Sequence, residues 1–123
     1  MKKYLPWVIG VWSMAAAMST VLFAQSVSVN ELIAEGKRYD QKEVTIEGEA
    51  IGHLMRRGEF AWLNVLDGDT SIGVWAERKL FEAIGRFGRY GIIGDRIRVQ
   101  GIYHVSCILH GGDADIHAHT LKV

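Results

Sequence analysis

Residues Glu43 to Val123 predict a mainly β domain in which five short strands form a Greek-key barrel. Three observations predict it. Apolar residues recur at every second position in the segments that start at Glu43 and Asp95. Between the third and fourth segments the period lengthens to that of a helix, and Asp67-Gly68-Asp69 marks a tight hairpin between the second and third.

The chain has 123 residues, 49% of them hydrophobic, which fits one globular domain and leaves no room for a second. Lys2 and Lys3 precede an apolar run from Leu5 to Ala24, and the polar pair Gln25-Ser26 follows it. A basic start, an apolar middle and a small residue before the cut predict a secretory signal peptide over residues 1–24, with the folded domain over 25–123. The run is also long enough to span a bilayer, so an uncleaved anchor is the alternative. Pro6, Gly10, Ser13, Ser19 and Thr20 interrupt it and favour cleavage. Either way the domain is expected to be exported, on the outer side of a cytoplasmic membrane. No Cys lies near the cut, which argues against a lipoprotein anchor.

Of the 14 basic residues, two lie in the leader, which leaves 12 against 14 acidic ones and a formal charge of −2. Proteins that grip nucleic acid by its phosphates concentrate positive charge, so this balance argues mildly against such a partner and leaves room for a local patch. Cys107 is the only cysteine, so no internal disulfide forms and stability must come from the core. A lone exported thiol is either a small buried hydrophobe or a reactive or ligating group.

The domain opens with a helix. Ser28 as N-cap with Glu31 three residues on makes a capping box, Val27 is placed to staple against Leu32, and Gly36 to close the helix in a left-handed cap. In Glu43 to Ala50, Val44, Ile46 and Gly48 alternate with Glu43, Thr45 and Glu47, the pattern of a half-buried strand. His53 to Gly58 reads as the first loop, Glu59 to Leu66 as the second strand and Thr70 to Ala76 as the third. From Glu77 to Phe87, Leu80, Ile84 and Phe87 share one helical face and Gly88 supplies a stop. Asp95 to His104 forms the fourth strand and Asp113 to Val123 the fifth. Five strands with a helix before the fourth is the order of an OB-fold, which binds ligands on the face of strands two and three, between the first and last inter-strand loops.

Two groups of residues fall at that place. Phe60, Trp62 and Asn64 share one side of the second strand, Trp75 lies on the third, and Arg56 and Arg57 are in the first loop. Facing outward, they make a stacking platform edged with guanidinium groups, the way OB domains hold single-stranded nucleic acid. Ala61, Leu63 and Val65 form an equally apolar opposite side, so the alternation leaves open which side faces the core. The second group is His104, Cys107, His110, Asp113 and His117, with Asp115 and His119 in the same stretch. Thiolate and imidazole suit zinc, copper or nickel, and a turn at Gly111-Gly112 brings both halves together. The set lacks the paired knuckles of familiar zinc frameworks, and alternating His and Asp also suits an ordinary exposed strand.

No nucleophile elbow, phosphate-binding glycine loop or zinc-protease helix appears, and Cys107 with His110 has no orienting third group, so the domain is expected to be non-catalytic. The leading helix, the stretch Y-D-Q-K-E-V-T-I-E-G over Tyr39 to Gly48 and the D-R-I-R-V-Q-G fourth strand resemble small exported bacterial OB-fold proteins of the tRNA-anti-like type. The resemblance covers residues 27–123 and implies a barrel of nucleic-acid-binding ancestry. The exported haem chaperone of cytochrome c maturation is also an OB protein, but its His-and-Tyr haem motif has no counterpart after the last strand here. The expectation is therefore a non-catalytic exported binding module for single-stranded nucleic acid or another anionic polymer. The alternative is a metal-binding or protein-interaction domain of the bacterial cell envelope.

Overall fold

The computed structural model describes residues 26–123. The leader predicted over 1–24 lies outside the described residues. Two short helices, α1 (Val29–Ala34) and α2 (Gly36–Tyr39), lead into β1 (Glu43–Arg57), β2 (Phe60–Asp67), β3 (Thr70–Glu77), β4 (Arg96–His104) and β5 (Asp115–Lys122). The strands close in the order β1-β2-β3-β5-β4. β1 makes the closure possible by pairing twice: Glu43 to Glu49 lie against β4, and Glu49 to Arg57 against β2. The parallel contact of β3 with β5 shuts the other side. This is the predicted barrel.

The interior is filled from every strand: Val44 and Ile46, Leu63 and Val65, Ile72 and Val74, Ile97 and Val99, and Ile116 are all buried. Antiparallel partners share a face, so the inward set of each strand fixes the inward set of the next. Closing a barrel leaves the lining no water contact, and these aliphatic side chains supply the main driving force for the fold.

Three sequence expectations need correction. β1 does not end at Ala50, and His53 to Arg57 are strand, not loop. Gly52, at φ 78°, sits in a bulge where the register shifts between Ile51 and Met55, and pairing then resumes to a two-residue turn at Gly58-Glu59. A bulge interrupts the apolar alternation without ending the strand. The helix over Glu77 to Phe87 is a short 3-10 helix, Arg78–Ala83, that buries Phe81, with Ile84 buried just past its end. The Asp95 carboxylate accepts from the Gly85 and Arg86 N–H groups at 2.7 and 3.2 Å, taking donors that a continuing helix would send to its own carbonyls. Gly36 is no left-handed cap. It begins α2 and is buried where a Cβ would come within 2.6 Å of Val105 Cγ2, while Gln41, at φ 66°, takes the left-handed conformation before β1. The capping box half-forms as read: Ser28 Oγ accepts from Glu31 N at 3.1 Å. Asp67 Oδ2, from the β2–β3 turn, accepts from Val29 N at 3.0 Å.

Candidate functional site

Closure decides the face that alternation left open. Ala61, Leu63 and Val65 are fully buried, so Phe60, Trp62 and Asn64 face out. Trp62 stands opposite Trp75, and Phe60 stacks on Trp75 with centroids 5.4 Å apart and planes 6° from parallel. Gly73 of β3 leaves the space that the Trp62 indole occupies: a Cβ there would lie 2.5 Å from Cε2 and Cη2. The small residue on one strand thus lets the large one on its neighbour lie flat across the barrel wall.

The strand status of Arg56 and Arg57 separates them. Arg57 pairs with Phe60 and joins Met55, Trp62, Trp75 and His110 around a hollow of ≈ 210 Å³. Arg56 pairs with Ala61, takes the opposite side of the ribbon, and lines another hollow with His53, Arg86 and Arg89. The predicted platform therefore keeps one of its two arginines, and the other belongs to a separate basic hollow.

The β4–β5 loop closes over the end of the same face. Cys107 N–H donates to the Asp113 carbonyl at 2.9 Å, and the Cys107 carbonyl accepts from His110 and Gly112 N–H at 3.0 and 2.8 Å. A short 3-10 turn, Ile108–His110, ends in left-handed Gly111, so the loop curls back on itself. Cys107 is buried under it, and the His110 ring lies 4.6 Å from that of Trp75 and 5.1 Å from that of Trp62.

At the centre of this second group is Asp115, 0% exposed, and not Asp113. Asp113 contributes its backbone carbonyl and leaves its side chain exposed, because β5 and its alternation begin only at Asp115. Asp115 stands directly opposite His104 in the β4–β5 register, and that register is the signal that could have identified it. Its Oδ1 lies 3.2 Å from His104 Nδ1, and its Oδ2 lies 2.6 Å from His110 Nδ1 and 3.4 Å from His117 Nε2. Cys107 Sγ lies 3.3 Å from His110 Nδ1 and 3.6 Å from His117 Nε2. His119 drops out of the group: the register slips by one residue there, and its ring bonds Glu43 instead.

Burial shifts the titration of two side chains here, His117 and Cys107. It holds the His117 imidazole below its ordinary value, with Asp115 pulling the other way. It pushes the Cys107 thiol up, and the neighbouring Asp115 carboxylate adds to the effect.

Five strands in this closed order, with the helical connection before the fourth, define an OB-fold. Solved structures agree on the fold. The chain is similar to asparaginyl-tRNA synthetase from Pyrococcus horikoshii (20% identity, TM-score 0.56) over 82% of its own length and 23% of that chain. It is similar to a putative aspartyl-tRNA synthetase from Leishmania major (15% identity, TM-score 0.57) over 90% of its length and 22% of that chain. It therefore spans less than a quarter of each synthetase. The hypothetical protein ygiW from E. coli (14% identity, TM-score 0.52) is matched over 98% of its length. No family model and no curated protein matches the sequence.

Proposed function

We propose that this protein is a non-catalytic OB-fold module that binds single-stranded nucleic acid on the outer face of β2 and β3. The observation that carries the reading is the outward placement of Phe60, Trp62 and Trp75, with Phe60 41% exposed, at the place where the fold binds its ligands. Exposed aromatic rings are costly on a face with no partner, and flat bases stack on them whatever their sequence. Arg57 beside the platform offers a phosphate contact, and Arg56, Arg86 and Arg89 form the local basic patch that the overall charge left room for. The shared fold with two tRNA synthetases supports the same kind of partner. With residues 1–24 as an export signal, the ligand would be met outside the cytoplasm.

The test is a fluorescence titration of the full chain with a single-stranded oligonucleotide, with a duplex of the same sequence alongside. Quenching that saturates with the single strand, and is lost in Trp75→Ala, is expected. A wild-type signal that does not respond to the single strand refutes the reading.

A further inference from the structure

We propose that His104, Cys107, Asp115 and His117 form a site for one divalent transition-metal ion of the zinc class, with His110 as the hydrogen-bonded partner that holds the Asp115 carboxylate. This inference is independent of the nucleic-acid reading.

The four donors are close enough together to converge on one ion. One donor atom from each of the four residues lies within 4.8 Å of all the others. A tetrahedral ion with bonds of about 2.0–2.3 Å spaces its donors about 3.3–3.8 Å apart. Two spacings that share His117 Nε2, to Asp115 Oδ2 at 3.4 Å and to Cys107 Sγ at 3.6 Å, fall in that range, and His104 Nδ1 lies 3.2 Å from the other carboxylate oxygen, Oδ1. His110 Nδ1 sits 2.6 Å from Asp115 Oδ2, a hydrogen-bond length and too close for a second donor on the same ion. It therefore serves better as the outer group that orients a ligating carboxylate, a role such sites regularly use.

The charges point the same way. Asp115 is wholly buried, and its ionic partners among the described residues are all histidines. Leaving a carboxylate buried without a charge partner is expensive. A divalent cation bound to one thiolate and one carboxylate brings the net charge of the site to zero. The thiol ligates as a thiolate, so binding releases its proton. The donor set of two imidazoles, a thiolate and a carboxylate suits zinc and its neighbours and does not suit magnesium or calcium. The scaffold is rigid on two sides, with His104 and Asp115 facing each other across β4 and β5, and Cys107 is held by its own loop hydrogen bonds.

The experiment uses the full chain, stripped with a chelator, desalted and offered equimolar zinc or cobalt. Native mass spectrometry is expected to show one ion per chain. The cobalt form is expected to show tetrahedral visible bands and a thiolate charge-transfer band. Cys107→Ser, a near-isosteric change whose folding is checked by circular dichroism, should abolish the charge-transfer band and weaken zinc binding at least about tenfold. His119→Ala, outside the group, should leave both unchanged. A chain that stays metal-free in equimolar zinc overturns the proposal, as does a folded Cys107→Ser variant with unchanged affinity and spectrum.

Discussion

Replacing Gly73 by Ala tests the packing of the outer face with a change of sign. Gly73 lies in β3 with no left-handed backbone requirement, so an added methyl group costs no strain in the chain itself. In open space such a substitution stabilises a protein by about 0.4–1 kcal/mol, because the unfolded chain has fewer conformations to lose. Here the new Cβ would stand 2.5 Å from two atoms of the Trp62 indole and closer still to a third. A rigid ring edge cannot bend away, so Trp62 must leave its place against β3 or the strands must part. Overpacking of this kind costs about 1–3 kcal/mol. For a domain of this size each kcal/mol moves the midpoint by about 4–8 °C, so thermal melts should show a fall of about 4–24 °C. Tryptophan emission should change in the folded state as well. Trp62→Ala removes the obstacle, so adding Gly73→Ala in that background should be neutral or stabilising, a coupling that a double-mutant cycle reads directly. An unchanged or raised midpoint in the Gly73→Ala single variant would refute the packing argument.

Several other outcomes can be measured with the same protein. Trp75→Ala should weaken binding to the single-stranded oligonucleotide by about 1–3 kcal/mol, and Arg57→Ala should flatten the log–log salt dependence by about 0.7, read by fluorescence titration at several salt concentrations. Tyr103→Phe removes the buried O–H donor to the Leu32 carbonyl at 3.2 Å and should cost about 0.5–1.5 kcal/mol, seen as a lower urea midpoint at constant slope. Leu63→Ala empties the middle of the barrel and should cost about 2–5 kcal/mol by the same measurement. His110→Ala should keep one zinc per chain in native mass spectrometry while weakening it about 10- to 100-fold, the signature of an outer partner.

The barrel was legible because alternation survives wherever one side of a strand is wet. Val44 with Ile46 and Ile97 with Val99 show it, and both pairs are buried. β2 is different because both of its sides are apolar. Only closure, which puts the smaller Ala61, Leu63 and Val65 inside and the rings outside, distinguishes them. Gly52 marks a bulge and not an end, which is why β1 outran its expected boundary and carried Arg56 and Arg57 onto opposite sides. The choice between Asp113 and Asp115 rested on where β5 begins, which the Gly111-Gly112 turn obscures in the sequence. The pairing of Asp115 with His104 depends on long-range register, and local periodicity does not contain it.

The bond from Asp67 to the first turn of α1 has a consequence for the order of events during folding. A helix of six residues is far too short to persist alone in water, and this one takes part of its cap from a turn 38 positions downstream. The α1 segment therefore gains this bond only after the β2–β3 hairpin has been made and can receive it.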